Sequence, residues 1–452
     1  MKIVISMEIE DNKLKDKDIE NILKEVLKNI KPSKEEMDKL QKMANTIIKE
    51  IWNIAKENNY PVLDVLLVGS SARNTNLKDD YDIDIFILFD KSVSEDELES
   101  IGLDIGVKVI EKLNGFYEIN YASHPYVKGK VDRYDVDIVP CYKINFGEKI
   151  ISAVDRTPLH HKFLKDRLNE KLCDEVRLLK AFLKSLGLYG SDVKTKGFSG
   201  YLCELLILHY GSFINLLKDV QNWKLKKIII LEDIFKLYEN VDIKNLKKFD
   251  DSLVVYDPVD LNRNVASPLS KENYCKFIFY SQRFLKNPSI EFFKDYKEKI
   301  NKILEDREHG YRLVLKIPRK DVVDDIIYPQ MEKLQKSINK IIAKNEFVIL
   351  ESKCFADDNY CYLYWEFLVY KLPKVALREG PEIFKKERVE KFLKKYEKVF
   401  IKDCKLFAYT ERKYCHIIDL FKDIVNGNLQ NISIPKYVDP KKGEIEELSN
   451  YG

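Results

Sequence analysis

Residues 65–89, VLLVGSSARNTNLKDDYDIDIFILF, restrict the fold more than any other stretch of the chain. An apolar run from Val65 to Val68 breaks at Gly69-Ser70, and a second run, Ile83 to Phe89, is headed by Asp82 with Asp84 inside it. The period-two alternation of a strand sends both carboxylates to one face while Ile83 and Ile85 point to the other. The Gly and Ser residues mark a turn that opens onto a helix start, so the local order is strand, turn, helix, strand. Further on, in DVDIVPCY, Asp137 lies between Val136 and Ile138, and a third carboxylate can reach the same patch from a neighbouring strand. Asp135 shares its strand face and competes for that place. Three like charges about 4 Å apart repel by roughly 4 kcal/mol per pair at an effective dielectric of about 20. Bound cations relieve this. Oxygen ligands with no His or Cys among them favour Mg²⁺, and two such ions flanking a phosphoryl group serve both the attacking and the leaving oxygen.

The turn supplies the complementary half. Gly69 permits close backbone approach, the free N–H groups of the helix start face an anion, and Ser70 and Arg73 add a hydroxyl and a positive fork. Together they form a cradle for a triphosphate.

Around this core, Ser33 to Glu36 spells a capping box, and Leu40, Ala44, Ile47, Ile48, Ile51 and Ala55 follow at helical spacing. Phe116 to Tyr121, Tyr126 to Lys128 and Val131 to Val139 read as further strands, with Lys128-Gly129-Lys130 as a turn. Thr157-Pro158 reads as the cap and first residue of a helix that would place His160 in its first turn, and helical periodicity continues to about residue 286. A helix over Ser289 to Leu304 leads into strand 311–316, helix 321–343, strands 346–355 and 360–371, helix 384–398 and strand 404–413. That β-α-β-β-α-β order is the ferredoxin-like arrangement of many RNA-recognition modules. The last ~25 residues, rich in Pro, Gly, Lys and Glu, read as a tail. The fold class is therefore α+β and multidomain: a mixed-sheet head over residues 1–150, a helical region over 151–286, and a C-terminal region over 287–452 with the ferredoxin-like pattern.

Lys plus Arg number 77 and Asp plus Glu 74, a balance from which no nucleic-acid partner follows without local gathering of cations. Such gathering occurs at Lys385, Lys386, Arg388, Lys391, Lys394, Lys395 and Lys398, then Arg412 and Lys413 beside Tyr414. The eight cysteines form no CxxC pair and read as core thiols of a reducing compartment. MKIVISMEIEDNK is too poor in apolar residues for a signal-peptide core, and no apolar run reaches membrane-spanning length, so a cytoplasmic location is expected.

GSSARNTNL, DIDIFILF, VDIVPCY, RTPLHHKFL, GFSGYLCELL and DPVDLNRNVA together carry a resemblance. The strand, G-S, gap and paired carboxylates resemble the nucleotidyltransferase superfamily of DNA polymerase beta. The full set is similar to the archaeal class I CCA-adding tRNA nucleotidyltransferases over about residues 30–270, and the resemblance continues more diffusely to the C-terminus. That resemblance implies Asp82, Asp84 and Asp137 as the catalytic, metal-binding carboxylates, although the family often has Glu at the first. It implies nucleotide contacts for Gly69, Ser70, Arg73, His160, Lys180 and Tyr189. From the residues alone Lys184, one turn along the same helix face, is placed as well as Lys180. Arg263 matches a segment beside the base pocket, where its donors could meet the edges of C or A. The activity implied is template-independent addition of C, C and A to the tRNA 3′ end from CTP and ATP with Mg²⁺. Its partners are tRNA and the two nucleotides, with no membrane, and a homodimer is compatible with it. A poly(A)- or oligoadenylate-synthetase-like polymerase, or a catalytically inactive RNA-binding relative, would share the same head.

Overall fold

The computed structural model describes residues 17–121, 124–238, 246–294, 310–429 and 432–448. The chain divides into two compact units, residues 1–302 and 303–452.

In the first unit a helix over residues 17–30 (α1) precedes α2 (Lys34–Glu57), whose capping box forms as the sequence predicts, with Ser33 and Glu36 exchanging side-chain and backbone hydrogen bonds. Next come β1 (Val62–Val68), the four-residue α3 (Gly69–Ala72), β2 (Asp82–Phe89), α4 (Glu95–Lys112), β3 (Phe116–Tyr121), β4 (Pro125–Val131) and β5 (Tyr134–Tyr142). The strands form one sheet in the order β1-β2-β5-β4-β3, with β2 and β5 parallel and the other neighbours antiparallel. Ile83, Ile85, Ile87, Val136 and Ile138 bury one face in a core shared with Leu40, Ala44, Ile47 and Ile51 of α2 and with Ile105 and Val109 of α4. The other face carries the aspartates at one end and a small cluster, Phe86, Leu88, Val139 and Cys141, at the other.

Lys128-Gly129-Lys130 is strand, not turn; the reversal falls after it, where Asp132 takes a φ of 52°. Gly129 is there because α4 packs closely: a Cβ would come within 2.5 Å of Ile110.

The helical region of this unit comprises α5 (Arg156–Lys165), α6 (Glu170–Ser185), α7 (Gly200–Tyr210), α8 (Phe213–Val220), α9 (Glu232–Leu237) and α10 (Lys271–Lys286), with a small sheet of β6 (Lys227–Ile229), β7 (Leu253–Asp257) and β8 (Asp260–Asn264). α5 starts before the predicted Thr157 cap. Asp155 stands at its N-cap position, and the Asp155 carboxylate is used elsewhere, accepting from the Tyr142 and Ser152 amides. His160 is thus the fifth helical residue, past the first turn whose free N–H groups would favour an anion. Of the helix predicted over Ser289 to Leu304, one 3₁₀ turn, Ile290–Phe293, is described and residues 295–309 lie outside the described residues.

In the second unit, β9 (Tyr311–Pro318), α11 (Asp324–Lys344), β10 (Val348–Ala356) and β11 (Tyr360–Val369) follow the predicted order. The second half differs. β12 (Val375–Glu382), β13 (Val399–Lys402) and β14 (Lys405–Glu411) form a separate three-stranded sheet, and α12 (Lys386–Leu393) packs on β12. The chain then returns through α13 (Ile417–Val425) to β15 (Glu444–Leu448), giving the antiparallel order β10-β11-β9-β15. This is the strand order of a ferredoxin-like sheet, with β15, read from sequence as tail, as its fourth strand and the small sheet as an insertion. Phe421 of α13 seats the second helix by packing on Trp365, ring centroids 5.0 Å apart. Among the described residues no single helix is long and apolar enough to cross a membrane.

Candidate active site

The parallel register of β2 and β5 sets Asp84 directly abreast of Asp137, and Asp82 abreast of Asp135. All four carboxylates share the face opposite the main core. They are not equivalent. Asp135 is neutralised by Lys130, whose Nζ lies 3.0 Å from Oδ1, whereas no cation is ion-paired to Asp82, Asp84 or Asp137 among the described residues. Burial, then Asp137 and Asp82, push the Asp84 carboxyl up to about 7. Burial pushes Asp137 up to about 6 against the pull of Lys128, and raises Asp82 together with the charges of Asp80 and Asp135. Arg73 near Asp84 and Lys128 near Asp137 pull the other way but do not offset the burial. The donor set, oxygen only, fits a divalent cation. Glu95, Glu99 and His124 also bring ligand atoms within 4.8 Å of one another, but they lie toward the other end of the strands and are no part of this set.

β1 leads straight into the turn. Gly69 has a φ of +74°, and a Cβ on it would stand 1.8 Å from Asp84 Oδ2. Only glycine combines that backbone with room for the carboxylate. Gly69→Ala is expected to strain the turn by about 1–2 kcal/mol. By displacing Asp84 it should also cut turnover about 10²-fold, as ångström-scale misplacement of a reacting group does. Steady-state kinetics and thermal melts of the variant check both effects.

Ser70 is half-buried beside Ser71, whose Oγ is buried and without a hydrogen-bond partner. Arg73 does not present a free fork. Its Nε and Nη2 hold both oxygens of Glu204 at 3.0 and 2.9 Å, and Glu204 is completely buried in α7. Thr75 Oγ1 donates to the same carboxylate at 2.6 Å, and Lys180 Nζ donates to the Thr75 carbonyl at 2.9 Å. Lys180 is therefore buried in this network, and burial lowers its pKa despite Glu204. Lys184 is the half-exposed cation of α6, 3.7 Å from Asp80 and over the Tyr189 ring. Tyr189 lies beside Lys180: both approach Gly200, where a Cβ would meet the Tyr189 hydroxyl at 3.1 Å and Lys180 Nζ at 3.7 Å.

His160 and Arg263 converge on a residue that the sequence reading passed over. Asp257, buried at the end of β7, accepts from Arg263 Nη1 at 2.7 Å and Tyr201 Oη at 3.0 Å, and lies 2.9 Å from His160 Nε2. The His160 ring stacks on Tyr201 at 3.9 Å. Burial pushes the Asp257 carboxyl up, but His160 and Arg263 outweigh it and hold it at about 2. The signal was an acid closing the apolar run LVVYD, six residues before the arginine. Arg156 of α5 pairs with Asp260 at 3.0 Å.

A mixed sheet with three carboxylates on parallel neighbours, faced by a G-S turn, defines a nucleotidyltransferase, and residues 48–160 match the nucleotidyltransferase domain family. Residues 174–294 match the second domain of tRNA nucleotidyltransferases, and residues 310–438 the C-terminal domain of CCA-adding enzymes. The chain is 80% identical to the CCA-adding enzyme of Methanocaldococcus jannaschii over 96% of its own length and 97% of the relative's. Identity to those of Methanococcus maripaludis and Archaeoglobus fulgidus is 53% and 38%, over 96% and 88% of the chain and 98% and 87% of the relatives. The chain belongs to the CCA-adding enzyme family.

Proposed function

We propose that the protein adds C, C and A to the 3′ end of tRNA without a template, taking CTP and ATP and releasing pyrophosphate. The observation that carries the chemistry is Asp84 abreast of Asp137 with Gly69 against its carboxylate. Two Mg²⁺ ions held by Asp82, Asp84 and Asp137 would supply positive charge to the phosphoryl group and to the oxygens entering and leaving it.

The chain's own residues position the reactants. The Gly69-Ser70 turn receives the triphosphate, its backbone held by the Arg73–Glu204 and Thr75–Lys180 contacts. Arg263 spends one nitrogen on Asp257 and keeps the rest of its guanidinium for a base edge, while Asp257 and Tyr201 fix the His160 ring. The RNA 3′-hydroxyl gives up its proton to solvent as its oxygen bonds to the α-phosphorus, the bond from that phosphorus to the α,β-bridging oxygen breaks, and pyrophosphate leaves. Positioning and charge suffice for this step, and no protein nucleophile is required. In the second unit the exposed cations of α12 and the residues after it, Lys386, Arg388, Lys391, Lys394 and Lys395, support a contact with RNA phosphates, though Lys385, Arg412 and Lys413 are already engaged by Glu382, Glu346 and Asp423. Such an enzyme works where tRNA and nucleotides meet, in the cytoplasm.

The test is a tRNA lacking its terminal CCA, offered CTP, ATP or both with Mg²⁺, and products sized to one nucleotide. CTP alone should give two additions and both nucleotides three. A lengthening tail from ATP alone would overturn this reading in favour of a poly(A)-type polymerase.

A further inference from the structure

We propose that the open face of β4 and β3 beyond Asp137, with Lys128 and Phe116 as its principal contacts, holds the last nucleotides of the RNA being extended. This rests on the nucleotidyl-transfer reading above and names the acceptor's subsite within it.

The sheet order supplies the direction. β2 and β5 carry the carboxylates, β1 and the Gly69-Ser70 turn lie on one side of them, and β4 and β3 lie on the other. In-line displacement puts the attacking oxygen and the leaving pyrophosphate on opposite sides of the phosphorus. With the triphosphate at the turn, the attacking 3′-hydroxyl must arrive from the β4–β3 side.

The register shows what it would cross. Asp84 pairs with Asp137, Asp137 with Lys128, and Lys128 with Glu118, so one row of side chains runs from the carboxylates to the sheet edge. The adjacent row runs Asp82, Asp135, Lys130, Phe116. In these rows Lys130 is occupied by Asp135 and Glu118 accepts from Asn120. Lys128 is exposed and makes no ion pair among the described residues, although it is near enough to Asp137 to draw its pKa down. Phe116 is 85% exposed, on the same face as the aspartates, on an edge strand.

Those two groups match two parts of a nucleotide. A free ammonium suits a phosphodiester, and an exposed ring suits a base, since stacking on an aromatic face tolerates any base. That tolerance is what an acceptor whose terminal base changes with each addition requires. Strands lie about 4.8 Å apart, so Phe116 on β3 stands roughly 10 Å from β5. That distance suits the nucleotide behind the one that reacts.

The experiment compares the wild type with Phe116→Ala, Phe116→Trp and Lys128→Gln, using CCA-less tRNA and CTP, with KM measured separately for each substrate. RNA binding without nucleotide is titrated at two salt concentrations, and molar mass is followed by light scattering. Phe116→Ala should raise the RNA KM about tenfold, within the range for loss of one base–aromatic stack, with the CTP KM unmoved and Phe116→Trp restoring it. Lys128→Gln should weaken RNA binding and flatten its salt dependence by about one charge. An RNA KM unchanged by Phe116→Ala, an effect confined to CTP, or a change only in oligomeric state overturns the assignment, the last marking a self-association face. Wild-type protein that binds RNA through Phe116 yet transfers no nucleotide would sink the catalytic reading and leave this surface standing.

Discussion

Replacing Asp84 by Asn is expected to lower nucleotide incorporation by at least about 10³-fold and, in the same molecule, to make the metal-free protein more stable. The first effect follows from losing the central ligand of a cation-dependent transfer, where charge stabilisation is worth several kcal/mol and each 1.36 kcal/mol is a factor of about ten. The second follows from the fold. Burial, Asp137 and Asp82 push the Asp84 carboxyl up to about 7, far above a carboxylate's range in the unfolded chain. Between about pH 4 and 7 the folded state therefore binds a proton that the unfolded state has released. Stability from this group falls as pH rises through that window and stays low above it. At pH 8 the ionised carboxylate costs roughly 2–4 kcal/mol, which Asn does not incur. Thermal melts with EDTA at pH 5 and pH 8 check this: the variant should gain several degrees over the wild type at pH 8 and much less at pH 5. Adding Mg²⁺ at pH 8 should stabilise the wild type and not the variant. A variant less stable than wild type under all these conditions would mean that Asp84 is a structural acid.

What the sequence reveals depends on how local each signal is. The faces of Asp82, Asp84 and Asp137 follow from alternation within single strands. That Asp84 stands beside Asp137, and Asp82 beside Asp135, follows only from a parallel register between strands about fifty residues apart, which no local pattern encodes. Gly129 misleads because a glycine between two lysines reads as a turn, while its use here is to let α4 approach the sheet. β15 is short and mostly acidic, with Ile445 and Leu448 as its apolar residues, so composition reads it as tail although it completes a sheet. The predicted strand over 404–413 exists, but it pairs with β12 and β13, and partner choice again depends on tertiary packing. Asp257 and Glu204 were both visible as lone acids attached to apolar runs, LVVYD and GYLCELLIL. A buried acid needs buried donors, and these were spread from Arg73 to Arg263.

Glu204→Ala should produce the largest loss of stability of any single substitution near the site, about 3–5 kcal/mol, the usual cost of removing one partner from a buried ion pair. The carboxylate is fully buried, takes both Arg73 donors and the Thr75 hydroxyl, and faces Lys180, which is also buried. Without it, Arg73 and Lys180 become two unbalanced charges inside the protein. Burial pushes the Glu204 pKa up, yet Arg73 and Lys180 outweigh burial and hold it below the ordinary value. Its contribution is therefore complete above the carboxylate range and is lost as pH falls through the folded-state value, the opposite slope to that of Asp84. Urea unfolding at pH 7 checks the size, and Glu204→Gln, which keeps the Thr75 hydrogen bond but not the charge, should fall between wild type and Ala. A loss below about 1 kcal/mol would show that water reaches the network and screens it. Pairing Glu204→Leu with Lys180→Met discriminates further. If uncompensated charge is the cause, the double variant should recover part of what Glu204→Leu alone loses, because an apolar replacement removes the charge left behind. If instead the carboxylate acts by shape, the two losses should add. Recovery of stability without recovery of the CTP and ATP KM values would then separate the two duties of this cluster, holding α7 against the Gly69-Ser70 turn and keeping that turn set for a triphosphate.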